Sequence, residues 1–92
     1  MVLRQLGLDR ELEVQRLLDA WPELVDAKIA AHTRAVELEK GLLVVVVDSP
    51  VWMTQLRFLK GHVLKRIAPR FRAGLVRDIR FVLGKTGGGP QA

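Results

Sequence analysis

The sequence has no cysteine, so neither a disulfide nor a thiolate contributes to its fold or chemistry. Tyrosine is absent as well, and two tryptophans and three phenylalanines are the whole aromatic complement. The two histidines, His32 and His62, stand far apart, so no pair has metal-ligand spacing. No glycine-rich phosphate loop is present. The longest apolar run, residues 42–47, is far too short to cross a bilayer. Residues 1–7 lack the apolar centre of a secretory leader. These absences lead us to expect no catalytic residue, no metal, no cofactor, no membrane attachment and a cytoplasmic location.

What is present is a globular composition: 92 residues, 49% hydrophobic and 27% charged. That suits one domain with one modest core. The net charge is +5 and the isoelectric point about 10.5. Its distribution is uneven. Residues 1–50 hold six Lys/Arg against nine Asp/Glu, whereas residues 51–92 hold nine Lys/Arg against Asp78 alone. Residues 49–77 have no acid at all. Clustered cations of this kind point to a polyanionic partner for the second half. The competing explanation is that the acidic and basic halves attract each other.

Periodicity gives the elements. Asp9 stands where a helix cap is expected, with Glu11 and Glu13 in the first turn. Val14, Leu17, Leu18, Trp21, Val25 and Ile29 then form one apolar stripe. Pro22 should kink this helix or open a second one, and the segment should end near Ala31–Thr33. Val36 and Leu38 alternate with Glu37 and Glu39, the pattern of a strand with one wet face. Lys40–Gly41 makes a turn, and residues 42–47 form a strand apolar on both faces. Ser49 and Pro50 read as the cap and first residue of a helix. Its buried stripe is Trp52, Leu56, Leu59, Val63 and Ile67, and Pro69 stops it. Residues 76–83 read as a last strand, with Ile79, Phe81 and Leu83 on one side and Asp78 and Arg80 on the other. The fold class is α+β in the order α-α-β-β-α-β, a three-stranded sheet with helices on one face. Residues 8–84 make the domain, and residues 85–92 a disordered Gly-rich tail.

The candidate site lies in the basic half. Measured from Trp52 at about 100° per residue, Arg57 falls near 140° and Lys65 near 220°, both outward. Phe58, near 240°, and Gly61, near 180°, fall on the same side. Lys60 and Arg66 flank the buried stripe, and Arg70 and Arg72 continue the charge into the next loop. A helix-interior glycine costs about 1 kcal/mol relative to alanine, so Gly61 implies either close approach of a partner or a crossing point under the N-terminal helices. Phe58 with Arg57 and Lys65 is an aromatic-plus-basic combination that can stack bases or anchor a protein partner. Trp21 and Trp52 belong to the structural core, and His32 to a helix end where positive charge is favoured.

Several runs resemble the DciA family: 20–25 (Ala-Trp-Pro-Glu-Leu-Val), 29–33 (Ile-Ala-Ala-His-Thr), 41–49 (Gly-Leu-Leu-Val-Val-Val-Val-Asp-Ser), and Trp52 with Leu56. The likeness covers roughly residues 10–84. It implies a KH-like domain that binds single- or double-stranded DNA, weakly when alone. It also implies assistance in loading the bacterial replicative helicase, with no catalytic residue. Trp21, His32, Gly41, Ser49 and Trp52 fall on the family pattern in structural roles. Asp26 departs from it, standing where relatives usually have glycine. Two alternatives remain open: a protein-interaction module, dimerising through the 42–47 strand, and a small RNA-binding domain.

Overall fold

A computed structural model describes residues 8–86. Helix α1 (Leu8–Leu24) is followed by a one-turn helix α2 (Ala27–Ala30). Strands β1 (Thr33–Glu39) and β2 (Leu42–Val47) form a hairpin, and helix α3 (Pro50–Ile67) ends in a 3-10 turn, Ala68–Arg70. Strand β3 (Asp78–Leu83) completes the sheet. The α+β class and the order of elements are those predicted.

The sheet order is β1-β2-β3, antiparallel between β1 and β2 and parallel between β2 and β3. Parallel neighbours need a crossover, and α3 supplies it. The valine-rich strand is therefore central and paired on both sides. Its alternation is real but hidden by composition. Leu43, Val45 and Val47 are fully buried under the helices, while Leu42, Val44 and Val46 are half-buried on the opposite face. Flanking that open face are Arg34, Glu37 and Glu39 on β1 and Asp78 and Arg80 on β3. Leu17, Trp21, Leu24, Leu56 and Val63 close the core from the helical side.

Four local expectations change. Pro22 does not open a second helix: α1 runs through it to Leu24, and the break falls at Val25–Asp26. Asp9 lies inside helical backbone rather than before it. In β1 the register shifts between Ala35 and Glu37. This bulge rotates Val36 to the surface, leaving Ala35 and Leu38 on the core side. Strand β3 starts at Asp78, two residues later than the apolar pattern suggests, because the preceding loop is tied to the hairpin turn by Arg77 N–H to Gly41 O at 2.7 Å and Asp78 N–H to the same oxygen at 3.1 Å.

The two tryptophans differ. Trp21 is fully buried, and its indole N–H donates to Thr33 Oγ1 at 2.9 Å. Thr33 in turn donates to the Ile29 carbonyl at 2.7 Å. This chain of bonds joins α1, α2 and β1 without leaving a buried donor unpaired. Trp52 is only half-buried and stacks on His32, ring centroids 5.3 Å apart. His32 Nδ1 lies 2.9 Å from Asp48 Oδ1, and Thr86 Oγ1 donates to Asp48 Oδ2 at 2.9 Å. His32 stands at the end of α2, as expected, its N–H donating to the Ile29 carbonyl at 3.0 Å, and its ring also joins the ends of β1 and β2 to the start of α3. These hydrogen bonds, from His32 first and Thr86 second, hold the Asp48 carboxyl below its ordinary value. Lys85 and Thr86, expected to begin the tail, are among the described residues; residues 87–92 lie outside them.

Candidate nucleic-acid interface

The outer face of α3 forms because the inner one is satisfied. Ser49 caps the helix, its hydroxyl accepting from Trp52 N–H at 3.4 Å, and Pro50 occupies the first turn. Leu56, Val63 and Ile67 anchor the inner stripe in the core. The helical period then fixes what points outward: Val51, Thr54, Gln55, Arg57, Phe58, Gly61, His62 and Lys65 are all exposed. Phe58 is 84% exposed, unusual for so large an apolar side chain. Among the described residues nothing lies within 4 Å of the position a Gly61 Cβ would take. The N-terminal helices therefore do not cross at Gly61, and that explanation of the glycine is excluded. Val51, 68% exposed and seven residues before Phe58, belongs to the same surface. Its place beside Pro50 in the first turn masked it in the sequence.

The eight candidate residues separate into two groups. Arg57, Phe58, Gly61 and Lys65 share the outer face, and neither cation makes an ion pair with another described residue. The other four are held by acids. Lys60 Nζ lies 2.9 Å from Asp78 Oδ1, Arg66 is 3.4 Å from Asp26, Arg70 is 3.7 Å from Glu23, and Arg72 Nε donates to Glu13 at 2.8 Å. Lys60, followed by the Ile79 N–H, holds the Asp78 carboxyl below its ordinary value. Three of these pairs join the basic half to the acidic one. The attraction between the acidic and basic halves is thus present at Arg66, Arg70 and Arg72 and absent, among the described residues, at Arg57 and Lys65. Such exposed pairs contribute about 0–1 kcal/mol each.

Arg70 and Arg72, which continue the charge beyond α3, are each paired with an acid of α1. Another concentration of charge was not singled out from the sequence. Arg10, Lys40, Arg72 and Arg77 line one concavity with Gly41, Gly74 and Leu75. A Lys-Gly turn next to a predicted strand was its only sequence trace. A further groove, between Arg57 and Lys60 of α3 and Ile79 and Phe81 of β3, runs beside the outer face. Among the described residues no cluster of three His, Cys, Asp or Glu is placed to hold a metal, and no helix is long and apolar enough to cross a membrane.

The model of the family described as Dna[CI] antecedent, DciA, matches residues 1–81. The chain belongs to the DciA family. Curated relatives agree with this assignment to DciA. A UPF0232 protein of Corynebacterium glutamicum is 36% identical over 98% of this chain and 47% of its own length. One from Rhodococcus jostii is 32% identical over 87% of this chain and 43% of its own. A third, from Mycobacterium ulcerans, is 34% identical over 71% of this chain and 35% of its own. The chain thus spans less than half the length of the DciA relatives it matches.

Proposed function

We propose that the chain is a non-catalytic DNA-binding factor that assists loading of the replicative helicase, with the outer face of α3 as its contact surface. One observation carries the surface assignment: an 84%-exposed phenylalanine shares the outer face with two cations that no described acid neutralises. Cations left open in this way can displace the counterions of a phosphate backbone. An exposed aromatic ring gives a base a stacking platform, and Gly61 leaves room for close approach. Membership of DciA supports the helicase-loading part, which the geometry of this domain alone does not specify. With only two open cations on the face, binding by the chain alone is weak. Retention of the helicase on the immobilised chain tests the partner. Retention that survives nuclease supports a direct contact, and loss after nuclease contradicts it.

A protein-interaction reading also has an observation in its favour, the half-exposed stripe Leu42, Val44 and Val46 on the open face of the sheet. Strand-to-strand pairing through β2 is closed, because both its edges are used. A dimer would have to form face to face. Val44→Lys would then turn a dimer into a monomer by light scattering, and a wild-type monomer would dismiss the idea.

A further inference from the structure

The concavity beside the hairpin turn lies at the opposite end of β3 from the His32 cluster. It measures about 210 Å³ and gathers Arg10 from α1, Lys40 from the turn, and Arg72 and Arg77 from the loop before β3. Among the described residues no carboxylate lines it. Glu13 reaches Arg72 from outside and leaves three cations without a described acid partner. Asp78, the next residue along the chain, is occupied by Lys60.

Two features of the backbone serve this arrangement. Lys40 and Gly41 both have positive φ, 53° and 83°, as a two-residue hairpin turn of this hand requires. Glycine or asparagine is the easy choice at the first of these positions, and a lysine there is strained. Gly41 is required for a different reason. A Cβ there would sit 2.8 Å from Arg77 Cδ and 3.0 Å from its Cγ. The glycine lets the Arg77 stem lie across the turn, and two backbone bonds from Arg77 and Asp78 to the Gly41 carbonyl fix that approach. The fold thus brings cations from three separated segments to one hollow and accepts a strained residue to include one of them.

We propose that Arg10, Lys40 and Arg77, with Arg72 held on the wall by Glu13, form a binding pocket for a phosphate group, supplied by a nucleic-acid strand or by a free nucleotide. Arginine forks and a lysine ammonium around a concave wall match the several oxygens of a phosphate. The pocket is separate from the outer face of α3, and its existence does not depend on that face binding DNA.

Backbone amide NMR on the full chain tests it, with sodium pyrophosphate as probe against a constant chloride background. The expected result is saturable shifts confined to residues around Arg10, Lys40, Gly41 and Arg77. Lys40→Gly and Arg77→Gln should each weaken that binding about tenfold, the loss of one charge-assisted contact. Lys40→Gly removes the charge and relieves the strained φ, so its melting temperature should hold or rise while affinity falls. This keeps the test decisive even if Arg77→Gln disturbs the turn. A short single-stranded oligonucleotide without terminal phosphates distinguishes the sources. If it reproduces the same shifts, the phosphate comes from a strand; if it does not while pyrophosphate does, the pocket takes a free phosphorylated molecule. Absence of localised shifts, or affinity unchanged in Lys40→Gly, overturns the proposal.

Discussion

The inner and outer faces of α3 are drawn from one eighteen-residue stretch, yet they differ in nearly every physical respect. The inner face is apolar and buried around Leu56, Val63 and Ile67. The outer face holds an exposed ring, an unsupported glycine and two open cations. Neither the phenylalanine nor the glycine helps the domain fold. Phe58 gains no burial, and Gly61 lowers helix stability for no packing return. Small domains have little stability to spare, so the presence of both supports the proposal that this face is a contact surface. The comparison also shows how segment charge misleads. Lys60, Arg66, Arg70 and Arg72 look equivalent to Arg57 and Lys65 in the sequence, but the fold gives each of the four an acid.

The sharpest way to break this comparison is to truncate one residue on each face. Leu56→Ala should cost about 2–5 kcal/mol of stability, through lost burial and the cavity left behind. Phe58→Ala should change stability by no more than about 0.5 kcal/mol while weakening DNA binding. Equal destabilisation in urea titrations would mean that Phe58 packs in solution. Next in size is Thr33→Val, which leaves the buried Trp21 indole N–H without its acceptor. We expect about 1–3 kcal/mol of destabilisation, read from the same titrations.

How much of this was legible beforehand depended on whether a pattern was local. The cap at Ser49–Pro50, the limits of β2 and the outward direction of Arg57, Phe58, Gly61 and Lys65 follow from short-range rules, and the structure has them where those rules put them. The bulge at Val36 was not legible, because a single extra residue leaves no trace in an alternating run. Nor was the role of His32, whose partners Asp48 and Trp52 are sixteen and twenty positions away and meet it only once the sheet forms. The acid partners of Arg66, Arg70 and Arg72 lie forty to sixty residues distant, so spacing could not reveal that these cations were engaged. The pocket at Lys40 was hidden for the same reason.

Gly61→Ala comes next, with the opposite sign. Since a Cβ there meets nothing, alanine should stabilise the helix by about 1 kcal/mol, seen as a raised melting temperature. If a partner approaches closely at this point, the gain in stability will come with weaker partner binding. The smallest effect concerns Asp48. Its native pKa is depressed below the ordinary 3.8, so its contribution is present above about pH 4. It is lost as pH falls through the native value. Asp48→Asn should therefore lower the melting temperature slightly at pH 7, and the gap should narrow as the pH falls below the ordinary carboxylate value. A gap independent of pH would show that the carboxylate is not what matters there.

The central claim is that open cations, not paired ones, meet DNA. The salt dependence of DNA affinity, measured by fluorescence anisotropy, tests it most directly. The chain is compared with Arg57→Gln/Lys65→Gln and with Arg66→Gln/Arg70→Gln. Each phosphate contact contributes about 0.7–0.9 to the slope of log K against log salt. The account predicts that the first double variant flattens the slope by roughly twice that amount, while the second leaves it nearly unchanged. Equal flattening in both variants, or a slope that neither alters, would contradict it.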